Sequence, residues 1–376
     1  MHLSEKGLLC MKRYQTILPV PAILDALPGD SAEKILFFDL ETTGLSWRTS
    51  HLVLIGWICL ESGRWKLTQI FLESPLEERQ AICEFLSRIL DDSLLIHYNG
   101  STFDIPYLSG KCSLYQIHPV LEKARNLDLY QKLRPLRRLF GLSSMKQRDL
   151  EPLTGFFRQD HLTGKEVLSC YQKYILSGEE SLCQDLFKHN REDLTGLTRL
   201  LSLLTLIRWF DSPHPISSAV KDEEKITFLI DTDFALLRPL SLTDGDIALQ
   251  GEGHRLRLSV KILSETLKLF FEDHRNYYYL PQEDMAIHKS VGQFVDRSCR
   301  RQATPSTCYQ KKDGRFLPAP PGFSALSLFC RSRKEKEKFC LLEELLSDPA
   351  ATEKYVFLLL RFLIYSESEF SNKKGG

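Results

Sequence analysis

The stretch Phe37-Phe38-Asp39-Leu40-Glu41-Thr42-Thr43-Gly44-Leu45 sets two carboxylates one residue apart at the end of an apolar run, and then turns. Ile35 to Phe38 reads as a buried central strand. Along a strand, residues i and i+2 point to the same side, so Asp39 and Glu41 aim together beyond the strand end. Carboxylates so placed repel unless a cation lies between them, and hard divalent ions such as Mg²⁺ or Mn²⁺ take oxygen ligands of this kind. Read alone, the pair also fits a turn acid beside a solvated one. What decides is whether further carboxylates reach the same point.

Two further stations do. Leu94-Leu95-Ile96-His97-Tyr98 reads as a short buried strand, continuing into Asn99-Gly100-Ser101-Thr102-Phe103-Asp104. Asp104 then opens a helix, whose amino end favours its charged form. The third station, His189-Asn190-Arg191-Glu192-Asp193, lies in a helix predicted from about 181 to 209. Its spacing puts His189 and Asp193 on one face. Leu186, Leu194, Leu197, Leu200, Leu201 and Leu204 supply the apolar stripe. Asp128 and Asp185 have no partner at motif spacing and read as a structural and a surface acid.

Around these stations the pattern is α/β. Strands are predicted at about 35–40, 52–60, 64–72, 94–98 and 126–129, with Pro75 opening a helix at a favoured first-turn position. The expectation is a mixed five-stranded sheet flanked by helices over residues 33–210, after an irregular lead-in at 1–32. Asp211-Ser-Pro213-His-Pro215 breaks the chain. Residues 213–370 then read as a smaller α+β domain of unassigned function, and 371–376 as a disordered tail. Within it, the alternating runs 256–262 and 267–271 predict a hairpin, and Met285 to Arg301 a helix.

Bulk properties exclude several classes. A chain of 376 residues favours two domains. Its 49 basic and 49 acidic residues leave no net field to draw it to nucleic acid or membrane, so local charge must do so. The ten cysteines form no C-x-x-C pair. Reduced thiols, no signal peptide and no apolar run of membrane-spanning length predict a cytoplasmic, non-membrane protein. Cys299, Cys308, Cys330 and Cys340 form a weak zinc alternative.

The order D-x-E-T-T-G, H-x-N-G-x-x-F-D, H-x-x-x-D resembles the three motifs of the DEDD 3′→5′ exonucleases, which have a ribonuclease H-like fold. Phe103-Asp104-Ile105-Pro106-Tyr107-Leu108 looks like the second motif of family B polymerase proofreading domains. Leu142-Ser143-Ser144-Met145-Lys146, Asp160 to Gly164 and His189-Asn-Arg-Glu-Asp193 are similar to the bacterial YprB-like ribonuclease H-like family. The resemblance spans about 35–208. It implies a two-metal phosphodiester hydrolase of DNA or RNA, with Mg²⁺ or Mn²⁺ held by Asp39, Glu41, Asp104 and Asp193. Asp39 would bridge both ions, Glu41 and Asp193 would complete the first, and Asp104 would serve the second. His189 would take the proton or orient the water. Thr42, Leu45, Asn99, Phe103 and Lys146 would border a single strand or its 3′ end. The chain departs from the family pattern at His189, which stands where Tyr is usual; a His one residue earlier would be usual too, but that position is Lys188.

Two basic stretches complete this reading. Residues 123–148 carry eight cations against Asp128 alone, and 285–340 carry twelve against four acids, interleaved with Phe294, Tyr309, Phe316, Phe323 and Phe329. Both suit phosphate contact and base stacking. Competing readings are a ribonuclease H-like endonuclease, a catalytically weak nucleic-acid-binding protein, and an aspartyl phosphatase. The last usually needs D-x-D, which Glu41 breaks.

Overall fold

A computed structural model describes residues 11–19, 27, 29–118 and 120–365. The described chain divides into two compact units. One takes the residues up to Arg137 together with Leu142–Ile207; the other takes Arg138–Gly141 and the residues from Arg208 onward.

The first unit is built on a six-stranded mixed sheet. Its strands are β1 (Lys12–Ile17), β2 (Ile35–Thr42), β3 (Leu52–Glu61), β4 (Arg64–Phe71), β5 (Leu94–His97) and β6 (Arg125–Asp128), in the order β1-β4-β3-β2-β5-β6. β1 to β4 pair antiparallel, while β2, β5 and β6 run parallel. Ser62 and Gly63, both at positive φ, make the tight β3–β4 turn. The sixth strand corrects the expected five, and it lies in what was read as an irregular lead-in. Lys12-Arg-Tyr-Gln-Thr-Ile is largely exposed, so it lacks the apolar alternation that marks a half-buried strand. Ion pairs from Lys12 to Glu180 and Arg13 to Glu84 fasten it.

Both faces of this sheet are covered. Leu36, Phe38, Leu40, Trp57, Phe85, Leu95 and Tyr107 form one cluster, towards α1 (Glu78–Leu86) and α2 (Asp104–Tyr115). The short helices α3 (Leu129–Leu133), α4 (Leu136–Leu139) and α5 (Gln147–Leu150) follow. Val53, Leu54, Phe71, Tyr171, Tyr174, Leu186 and Phe187 form the other cluster, with α6 (Gly164–Ser177) and α7 (Glu180–Leu200). Each fully buried side chain of this size contributes about 1.5–3 kcal/mol. Two-sided cover explains why β2 and β3 read as continuous apolar runs. The expected tail at 371–376 lies outside the described residues.

Apart from Arg138–Gly141, the second unit begins at Arg208, within α8 (Ser202–Phe210). It holds a five-stranded antiparallel sheet of β7 (Ser218–Lys221), β8 (Lys225–Asp231), β9 (Leu240–Asp244), β10 (Ile247–Glu252) and β11 (Arg255–Lys261), in the order β7-β8-β11-β10-β9. β12 (Leu263–Phe270) joins β16 (Tyr309–Pro318) and β17 (Phe339–Leu341); β13 (Tyr277–Leu280) lies between β14 (Met285–His288) and β15 (Arg301–Gln302). The expected hairpin is absent: β11 pairs with β8 and β10, and β12 with β16. Only Ile262 separates β11 from β12, too little chain to reverse direction, so the strand passes instead from one sheet to the next. The helix expected over Met285–Arg301 is also absent. It is replaced by β14, a single turn α9 (Lys289–Gly292) and a 3-10 turn at Arg297–Cys299. Gly292 packs against Tyr278, where a Cβ would sit 2.8 Å from the ring. Helices α10 (Leu342–Ser347) and α11 (Pro349–Ile364) close the unit, α11 capped by Asp348.

Candidate active site

β2 carries Asp39 and Glu41 on the face towards α7, opposite the side that buries Phe38 and Leu40. The ladder to β3 slips between Glu41 and Thr42, ending regular pairing where the Thr42–Leu45 turn begins. Opposite Asp39 in register stands Gly56. A Cβ there would lie 2.1 Å from Asn190 Oδ1 and 2.6 Å from Leu194 Cδ1, so glycine lets α7 close onto the sheet. Asn190 uses that approach. Its Nδ2 donates to Asp39 Oδ2 at 2.8 Å, and its Oδ1 accepts from Gln69 Nε2 at 2.8 Å.

Also on α7, His189 and, one turn on, Asp193 meet Glu41. His189 Nε2 is 3.5 Å from Glu41 Oε1 and 3.2 Å from Asp193 Oδ2. Ligand atoms of Glu41, His189 and Asp193 all lie within 4.8 Å of one another. On the far side of the ring, His189 Nδ1 donates to Asp160 Oδ2 at 2.6 Å. Asp193 Oδ1 also receives Arg158 Nη1 at 2.7 Å, and Arg158 is held by both oxygens of buried Glu151.

Asp104 arrives from the other station. It begins α2, after a loop that the buried Asp128 carboxylate fixes by accepting from the backbone N–H of Asn99 at 2.8 Å and Ser101 at 3.2 Å. Asn99 sits at φ +60°, and a Cβ on Gly100 would fall 2.7 Å from the His97 ring. Asp128 is therefore a loop fastener and the cap of α3.

The electrostatics follow from this crowding. Burial, then the charges of Asp193, Glu41 and Asp104, hold Asp39 well above the usual carboxylate range, against the Asn190 hydrogen bond. Burial pushes Glu41 up to about 8, opposed by His189 and reinforced by Asp193 and Asp104. Burial raises Asp104 to about 7 despite hydrogen bonds from its own backbone and that of Leu40. For His189, burial alone lowers the pKa, but Asp193, Glu41 and Asp160 outweigh it and raise it. Oxygen donors in excess of nearby cations fit a hard divalent metal.

Residues 36–205 match the family model of the RNase_H superfamily. A DNA polymerase of Pyrococcus glycovorans is 33% identical over 91 residues, which is 22% of this chain and 12% of the polymerase. Among solved structures, the family B DNA polymerase of Pyrobaculum calidifontis aligns at 13% identity and TM-score 0.35, covering 59% of this chain and 39% of that one. Exonuclease I aligns at 12% identity and TM-score 0.34, covering 58% and 55%. The chain thus spans 12% and 39% of the two polymerases and 55% of exonuclease I in these alignments.

The other expected residues occupy varied settings. Leu45 is 86% exposed at the turn, and Thr42 Oγ1 donates to the Gly44 carbonyl. Phe103 packs on the core and against Tyr107, with ring centroids 5.6 Å apart. Lys146 is exposed at the start of α5. In the second basic stretch, Tyr309, Phe316, Phe323 and Phe329 are buried and only Phe294, 84% exposed, presents a free ring. Among the described residues, the four cysteines considered for zinc form no ligand cluster. Sequence reasoning gave no role to Asn190, Gln69, Glu151 or Arg158. Asn190 left one trace, a polar residue inside the Leu186–Leu194 apolar stripe.

Proposed function

We propose that this chain is a divalent-metal-dependent nuclease that hydrolyses DNA or RNA from a 3′ end. The carrying observation is the convergence of Asp39, Glu41, Asp104 and Asp193, from three separate segments, into one mutually repelling group. These residues would hold two Mg²⁺ or Mn²⁺ ions, which when bound supply an activated water and charge stabilisation at the phosphate. The chain's own groups do the rest. Asp160 fixes the His189 ring so that Nε2 faces the carboxylates and handles the proton of the attacking water. Arg158 locks the Asp193 carboxylate in place. Thr42, Leu45, Asn99 and Phe103 border the terminal nucleotide, the exposed Leu45 being free to wedge against a base. Lys146 meets the strand's phosphates. Membership of the bacterial YprB-like group is part of this reading; the segments that carry that resemblance contribute Lys146 and Leu162–Gly164 to one cavity beside His189.

The test is release of mononucleotides from a 5′-labelled oligonucleotide with Mn²⁺ or Mg²⁺. A ladder shortening from the 3′ end is expected, and Asp39→Ala or Asp104→Ala should lower the rate by at least about a thousandfold. Internal cuts alone would assign an endonuclease. Equal, background digestion by the wild type and both variants would end the catalytic reading.

A further inference from the structure

A cavity of about 250 Å³ opens beside His189 and Asp193, lined also by Lys146, Gln147, Arg148 and Arg158. None of Asp39, Glu41 and Asp104 lines it, so it lies to one side of the carboxylate group. Arg158 is already held by Glu151 and Asp193, which leaves Lys146 and Arg148 as the cations available to a ligand. The acids beside them have other partners: Asp193 Oδ1 takes Arg158 at 2.7 Å and Asp160 Oδ2 takes His189 Nδ1 at 2.6 Å, while Arg148 approaches Asp160 only to 3.7 Å. Arg148 spends one nitrogen on the Leu162 carbonyl at 2.8 Å, leaving most of its five N–H donors uncommitted. Lys146 is exposed, and among the described residues no carboxylate lies within ion-pair distance of it.

The segment that carries Lys146 and Arg148 is braced before any ligand arrives. Tyr98 Oη donates to the Met145 carbonyl at 2.5 Å, tying the loop before Lys146 to the end of β5. Gln147 Nε2 donates to the Asp193 carbonyl at 2.7 Å and to Glu151 at 2.9 Å, fixing α5 against α7. Cations carried on a braced backbone at the rim of a small cavity are the chemistry of phosphate recognition.

We propose that this cavity is a subsite for a second phosphate of the substrate strand, the one immediately 5′ of the nucleotide that precedes the scissile bond. The inference rests on the nuclease reading and deepens it. The reacting phosphate belongs at the carboxylates; the cationic cavity next to them takes its neighbour and so sets the register of the strand. The smallest good substrate is then a dinucleotide carrying two phosphates.

The experiment compares a dinucleoside monophosphate with a 5′-hydroxyl against the same dinucleotide bearing a 5′-phosphate. Both are cleaved with Mn²⁺ by the full chain, and both are titrated in EDTA with a fluorescent label on the base. The 5′-phosphate should lower KM, and tighten binding in EDTA, by about tenfold or more. Lys146→Ala and Arg148→Lys should bring the ratio between the two substrates towards one; Lys146→Glu, at an exposed position, should invert it. Equal KM and equal binding for the two substrates in the wild type overturn the subsite and leave the nuclease reading standing. So does a full preference retained in all three variants. Discrimination in EDTA without any cleavage would keep the subsite and remove the nuclease.

Discussion

Asp39 is held by one amide and repelled by three carboxylates, and this imbalance organises the residues around it. The Gln69–Asn190–Asp39 chain fixes the side chain where burial opposes its charge. His189 is fixed in the same manner from behind, by Asp160. If His189 handles a proton, His189→Ala should lower kcat about 10²–10⁴-fold at saturating Mn²⁺. Asp160→Asn, which keeps the shape but weakens the clamp, should show a smaller loss in the same steady-state assay. Unchanged kcat in both variants would assign the pair to packing. At this scale the positions of Asp39, Glu41, Asp104 and Asp193 were legible, because a strand end, a helix start and an i,i+4 face place side chains by local geometry. Arg158 and Glu151 were not. Their relation to Asp193 depends on how a loop of irregular backbone folds over α7, which no periodicity encodes.

Elements in this molecule are placed by what they can bring close. Gly56 allows α7 to lie against β2 and β3. Gly56→Ala should cost about 1–3 kcal/mol, since Asn190 Oδ1 is pinned by Gln69 and Leu194 is buried. It should also depress activity by shifting His189 and Asp193 together. Urea denaturation of the variant measures the first effect, and a native midpoint would show that α7 yields more easily than its contacts indicate. β2, β3 and β5 were readable as elements from their apolar runs, and β4 from Trp65, Leu67, Ile70 and Phe71 after the turn at Gly63. β1 escaped because an edge strand need not be apolar. The β11–β12 error has a different origin: alternation reports which face is wet but not which strand is the neighbour, so two consecutive alternating runs look like a hairpin even when they serve different sheets.

For the whole molecule, the raised carboxylates make stability depend on pH and metal together. Glu41 rises from 4.5 to about 8 and Asp104 from 3.8 to about 7, so the metal-free folded state keeps protons that the unfolded chain releases. Their contribution is present in full below the unfolded values and is lost as pH rises through about 7 and 8. A divalent ion takes the place of those protons. The rise in Tm on adding Mn²⁺ should therefore be small near about pH 5, grow towards about pH 8, and vanish with EDTA. A thermal-shift series that is flat across this range would contradict a metal site at these carboxylates. β1 has a consequence of another kind. It occupies the outer hydrogen-bonding edge of β4, and its Lys12 and Arg13 make that border charged as well as paired. A chain shortened to begin at Leu18 would bare a strand whose other residues are mostly buried, inviting a neighbouring molecule to complete the ladder. Such a truncation should elute from a sizing column as dimers and larger assemblies, while the full chain does not. The polar opening strand is thus a guard on solubility, at the border of the sheet farthest from β6.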